Sequence, residues 1–139
     1  MTSKLRIFLA EDNPGDVQLV RESLREHNIE HELTLAPDGT EAKRYIERIG
    51  VSPEAVCPDV VLLDLNLPKV NSFELIALFR EHPVCMHRPV IVVTSSNAPR
   101  DREQAAALGV ARYFRKPSEL AEFLALGLLI REVVEEWGV

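Results

Sequence analysis

Two stretches of the chain, Val60-Val61-Leu62-Leu63 and Val90-Ile91-Val92-Val93, are apolar at every position. Successive side chains of a strand point to opposite faces, so an unbroken apolar run implies a strand covered on both sides. Such strands belong to parallel sheets sandwiched between helix layers. Each run stops on a polar residue, Asp64 in one case and Thr94 in the other.

The rest of the chain alternates in the same sense. Leu5 to Ala10 is a short apolar run that ends in the acids Glu11 and Asp12. Asp16 to Asn28 carries Val17, Val20 and Leu24 at helical spacing, with Pro14 near its start. His31 to Ala36 reads as a strand, Pro37-Asp38-Gly39 as a turn, and Thr40 to Ile49 as a helix. Helices are predicted over Phe73 to Glu81, Asp101 to Leu108 (stopped by Gly109) and Glu119 to Trp137, with a last strand over Ala111 to Arg115. Five strands alternating with five helices imply an α/β sheet with right-handed crossovers. Open sheets of this kind bind ligands at the carboxyl ends of their strands. Glu11, Asp12, Asp64, Thr94 and Lys116 all fall at such ends.

A chain of 139 residues has the size of one domain, and no Gly/Ser- or Pro-rich linker divides it. The net charge of −6 repels a phosphate backbone, which argues against nucleic-acid binding. Cys57 and Cys85 lack Cys-x-x-Cys spacing and read as two reduced thiols. The N-terminus, Met1-Thr2-Ser3-Lys4, lacks the apolar core of a signal peptide, and no apolar run is long enough to span a membrane. A soluble, cytoplasmic protein is expected. The four histidines, His27, His31, His82 and His87, show no ligand spacing.

Three clustered carboxylates repel one another unless a cation sits among them. Oxygen donors without Cys or His favour Mg²⁺. A carboxylate beside Mg²⁺ can attack a phosphoryl group and form an aspartyl phosphate. The cation and a lysine would neutralise charge on the phosphoryl oxygens, and the Thr94 hydroxyl can hydrogen-bond one of them.

The motifs Glu11-Asp12-Asn13, Leu63-Asp64-Leu65-Asn66-Leu67-Pro68, Thr94-Ser95-Ser96 and Lys116-Pro117 stand in order after the first, third, fourth and fifth strands. With them the chain resembles the receiver domains of two-component response regulators, from about Leu5 to about Val133. The resemblance implies a flavodoxin-like (βα)5 fold, a doubly wound parallel five-stranded sheet of order 2-1-3-4-5 in three layers, with residues 1–139 forming one receiver and no output domain. It implies Asp64 as phosphoacceptor, and Mg²⁺ held by Glu11, Asp12, Asp64 and the backbone carbonyl of Asn66. It implies Thr94 and Lys116 as phosphate-stabilising groups, Thr94 and Tyr113 as switch residues, and a cis bond before Pro117. A sensor histidine kinase is the implied phosphodonor. The implied chemistry is self-phosphorylation and autodephosphorylation rather than turnover. The opening Glu11-Asp12-Asn13-Pro14-Gly15-Asp16 is similar to that of receivers that work with phytochrome-type kinases. Two departures stand out: Glu11 replaces the commoner Asp, and Asn71-Ser72 stands where many receivers have Asp-Gly, so that loop is expected to differ in shape.

Two other readings stay open. One is a receiver-like interaction module that works without phosphorylation, which intact Asp64, Asp12, Thr94 and Lys116 count against. The other is an aspartyl phosphatase or phosphotransferase, whose general acid two residues after the nucleophile is here Asn66. In the last helix, Phe123, Leu126, Ile130 and Trp137, with many other apolar residues, exceed the single stripe that packing on a sheet requires. The surplus predicts a second buried face and a homodimer through that helix; the plainer reading has the helix folded back on its own domain.

Overall fold

A computed structural model describes residues 4–139. The N-terminal reading rests partly on Met1 to Ser3, which lie outside the described residues. Five strands, β1 (Leu5–Ala10), β2 (His31–Ala36), β3 (Val60–Leu63), β4 (Val90–Thr94) and β5 (Arg112–Arg115), form one parallel sheet of order β2-β1-β3-β4-β5. The connecting helices are α1 (Pro14–Glu26), α2 (Gly39–Arg48), α3 (Ser72–Glu81) and α4 (Pro99–Ala107), followed by α5 (Leu120–Leu124) and α6 (Leu126–Trp137).

The apolar runs behave as the pleat requires. Val61, Leu63, Val90 and Val92 pack with Ile46 of α2, Leu75, Ile76 and Phe79 of α3, and Ala105 of α4. Their neighbours Val60, Leu62, Ile91 and Val93 pack on the other side with Val17, Val20 and Leu24 of α1 and with α5 and α6. Every residue of β3 and β4 is buried. The result is three layers with a hydrophobic core on each face of the sheet.

The last helix differs from the expected single element. α5 and α6 are separated at Ala125, where the His27 ring lies 3.1 Å from the Leu124 carbonyl and donates to it from Nε2. Two residues on, Gly127 presses against α1: a Cβ there would collide with the Ser23 carbonyl oxygen. The close approach seats Phe123, Leu126, Ile130 and Val133 in the chain's own core, at 0–2% exposure. Burying each such side chain stabilises by about 1.5–3 kcal/mol. Phe123, Leu126 and Ile130 are therefore core residues and not a dimer face. Of the four named for that face, only Trp137 is exposed. Much of the surplus apolar surface is covered by α1 as well as by the sheet, while Leu120, Leu128 and Trp137 stay exposed.

Cys57 and Cys85 are also corrected. The structure joins them as a disulfide with Cα atoms 5.8 Å apart. The loops after α2 and α3 arrive side by side at the amino ends of β3 and β4, and sequence spacing carries no record of that. Among the described residues no helix is long and apolar enough to cross a membrane.

Candidate functional site

Register places the site. Ala10 pairs with Leu63 and Thr94 with Arg115, while Leu63 pairs with Val92, so β1 and β3 end level and β4 and β5 reach two residues further along the same edge. Three backbone bonds just beyond those ends extend the alignment: Glu11 N–H to Ala36 O at 3.1 Å, Asp64 N–H to Ala10 O at 3.1 Å and Lys116 N–H to Thr94 O at 2.7 Å. Glu11, Asp64, Thr94 and Lys116 are thus fixed at one edge by the sheet itself.

The Lys116 ammonium is the centre of the cluster. Nζ donates to Glu11 Oε1, Asp16 Oδ2 and Asp64 Oδ2, each at 2.7 Å. An ammonium has three donors, and all three are used. The other Asp64 oxygen, Oδ1, accepts from Asn66 N–H at 2.9 Å. Asn66 Nδ2 lies 3.4 Å from the Thr94 hydroxyl, and Thr94 is fully buried. Glu11, Asp12 and Asp64 each present a carboxylate oxygen, all within 4.8 Å of one another. Glu11 and Asp64 are buried while Asp12 is exposed. That is an oxygen-only donor set facing solvent on one side, which suits a hard divalent cation.

The electrostatics separate the two buried acids. Burial pushes Glu11 up to about 7, reinforced by the Asp64 charge and only partly offset by Lys116. Burial also opposes ionisation of Asp64, but the Lys116 hydrogen bond, the Asn66 N–H and the Thr94 hydroxyl outweigh it and hold Asp64 below the ordinary carboxylate value. Burial disfavours the Lys116 cation as well, and its bonds to Asp16, Asp64 and Glu11 overcome that and raise it above the usual lysine range. The proton in this cluster therefore sits first on Glu11, and Asp64 stays a carboxylate.

Three residues that the sequence pattern does not assign to the site nevertheless meet it. Asp16 reaches Lys116 from the first turn of α1, a contact between segments a hundred residues apart. Ser72, buried at the start of α3, donates to the Asp64 carbonyl at 2.7 Å, and Asn71 caps α3 by accepting from Phe73 N–H at 2.8 Å. The Asn71-Ser72 departure thus ties α3 to the strand end. One expectation is overturned: the Lys116–Pro117 bond is trans, and among the described residues there is no cis peptide. The trans form of such a bond is favoured by about 0.5–1 kcal/mol, and in it Lys116 already meets its three carboxylates. Tyr113 donates from its hydroxyl to the Ser96 carbonyl at 2.9 Å, beneath the Arg102 guanidinium at 4.3 Å from the ring centroid.

A family profile for the response regulator receiver domain matches residues 7–126. This chain belongs to the response regulator receiver family. It is 33% identical over 120 residues to the response regulator Rcp1 of Synechocystis, covering 86% of this chain and 82% of that protein. The crystal structure of the phosphorylated cyanobacterial phytochrome response regulator RcpA superposes with a TM-score of 0.82 at 32% identity, covering 97% of this chain and 94% of that one. The Mn²⁺-bound form of Rcp1 gives 0.81 at 32% identity, covering 92% of each chain. A receiver is a phosphoacceptor in a two-component system, with a histidine kinase as donor and a downstream target.

Proposed function

We propose that Asp64 accepts a phosphoryl group from a histidine kinase and that the resulting charge redirects partner binding through Thr94 and Tyr113. The observation that carries this is the Lys116 ammonium at 2.7 Å from an Asp64 held in its ionised form at the strand edge. An Asp64 oxygen attacks phosphorus while the bond from phosphorus to the donor imidazole nitrogen breaks. Lys116 then meets the phosphoryl oxygens, and the Thr94 hydroxyl moves to donate to one of them. Glu11, Asp12, Asp64 and the Asn66 carbonyl would hold Mg²⁺, consistent with their oxygen-only chemistry. When bound, that cation neutralises phosphoryl charge. Tyr113, already bonded to Ser96 beside Thr94, couples this change to the β4–β5 face.

The same reading makes the chain a substrate with built-in catalysis and not a turnover enzyme. It places the chain in the cytoplasm, as one receiver unit over 1–139 that binds no nucleic acid. The likeness to Rcp1 and RcpA supports a phytochrome-type kinase as donor. A homodimer belongs to this reading too, with Trp137 as the one named residue open to a second copy.

The test is intact-mass spectrometry after incubation with acetyl phosphate, with and without Mg²⁺, on the wild type and Asp64→Asn. A labile gain of one phosphoryl group that needs both Mg²⁺ and Asp64 is expected. No gain in the wild type would sink the reading and favour the phosphorylation-independent module.

A further inference from the structure

We propose that Asp16 is a positioning residue of the phosphoryl site, anchoring the Lys116 ammonium through a hydrogen bond that the metal and the phosphoryl group do not disturb; the inference rests on the phosphoacceptor reading above. The starting point is the three acceptors around Nζ, each at 2.7 Å. Two of them, Glu11 and Asp64, also belong to the carboxylate group that can hold a cation, and Asp64 is the nucleophile. Once their oxygens are shared with a divalent cation or esterified to phosphorus, their hold on Lys116 weakens. Asp16 lies outside that group. It is the one acceptor that keeps its full charge for Lys116 throughout the cycle.

The bland alternative is that Asp16 merely serves its helix. Asn13 is the N-cap of α1 and accepts from Asp16 N–H at 3.1 Å, which makes Asp16 the third helical residue. An acid there ordinarily reaches back to the N-cap amide in a capping box. Here the Asn13 N–H is taken by Glu11 Oε2 at 3.2 Å. The Asp16 carboxylate turns away from its helix to Lys116 and is about three-quarters buried, at 24% side-chain exposure. Helix α1 thus supplies the site with an acid whose local capping duty is performed by another residue.

A lysine has a flexible four-carbon stem and no intrinsic aim. With Asp16 in place, Nζ is held within reach of Asp64 both before and after transfer. With Asn there, the charge-assisted bond is lost and Nζ is free to follow Glu11 or solvent. The rate of phosphoryl uptake from acetyl phosphate at saturating Mg²⁺, followed by intact mass, should fall about tenfold in Asp16→Asn, the effect of losing one such hydrogen bond. Asp16→Glu should recover most of it. On a Lys116→Met background, Asp16→Asn should change nothing further, because the residue acts only through Lys116. A wild-type rate in Asp16→Asn, or an undiminished tenfold loss on the Lys116→Met background, overturns the proposal.

A second measurement does not need phosphorylation. In the full chain with ¹⁵N-lysine at saturating Mg²⁺, the Lys116 side-chain ammonium signal, assigned by its loss in Lys116→Met, should be protected from exchange. It should broaden away in Asp16→Asn and survive in Asp16→Glu. An unchanged Lys116 signal in Asp16→Asn overturns the proposal. Failure of the wild type to take up phosphate would sink the phosphoacceptor reading, and the ammonium signal would still decide what Asp16 does to Lys116.

Discussion

Two cations stand at opposite edges of the same sheet and are used in opposite ways. At the carboxyl edge, Lys116 meets three carboxylates. At the amino edge, Arg80 of α3 meets only backbone: Nε donates to Leu108 O at 3.1 Å, Nη1 to Arg88 O at 2.8 Å and to Met86 O at 3.3 Å, and Nη2 to Gly109 O at 3.0 Å. Burial lowers the Arg80 pKa with no carboxylate to oppose it, whereas the acids around Lys116 overcome the same penalty. Arg80 satisfies carbonyls that never change. The Cys57–Cys85 bond pins two loops at that same end. Lys116 neutralises charges that a metal and a phosphoryl group rearrange. One edge is built to stay and the other to respond, and the choice of guanidinium against ammonium fits each task, since the planar fork spans several fixed acceptors and the ammonium acts as a movable point charge.

Perturbing each edge should expose that difference. Lys116→Met leaves Glu11 and Asp64 buried without their cation, and should cost about 4 kcal/mol in urea unfolding of the metal-free protein. Adding Mg²⁺ should recover more stability in this variant than in the wild type; equal recovery would mean that lysine and metal do not share the same acids. At the other edge, reducing the disulfide or making Cys57→Ser should cost about 3.5 kcal/mol by the chain-entropy argument for a loop of this length. Phosphoryl uptake should be unchanged under conditions where the protein stays folded, and a large change in uptake would show that the edges are coupled.

Arg80→Met should cost about 3 kcal/mol, because charged hydrogen bonds to several carbonyls are lost together. Added Mg²⁺ should stabilise this variant no more than it does the wild type. The last expected effect is the pH response. Glu11 has its pKa raised from 4.5 to about 7, so in the metal-free fold its contribution to stability is complete below pH 4.5 and is lost as pH rises through 7. Metal binding runs the other way. It needs the carboxylate, so Mg²⁺ affinity measured by calorimetry should be flat above about pH 7 and fall about tenfold per unit below it. Glu11→Gln should flatten that slope.

Much of the carboxyl edge was legible in the sequence because its signals are local. Runs such as Val60–Leu63 and Val90–Val93 declare a strand with two covered faces, and the polar residue after each marks where the sheet stops. Glu11, Asp12, Asp64, Thr94 and Lys116 could be placed together on that ground, and the structure places them so. An acid in the first turn of a helix already has a sufficient local explanation, so the sequence does not direct Asp16 to Lys116. In the sequence Ser72 is only a departure from a common pattern, since nothing in its neighbours says that its hydroxyl reaches the Asp64 carbonyl.

The sequence by itself determined the order of the elements, the parallel sheet and the edge at which the acids gather, because periodicity and strand ends are properties of neighbouring residues. Only the tertiary structure decided which distant partners meet: Cys57 with Cys85, Arg80 with four carbonyls, Asp16 with Lys116, and Phe123, Leu126 and Ile130 of the last helices with the chain's own core. A residue's period reveals that a face is apolar or that a charge is present. It does not reveal which element arrives to cover that face or answer that charge, because that depends on the packing of segments far apart in the chain.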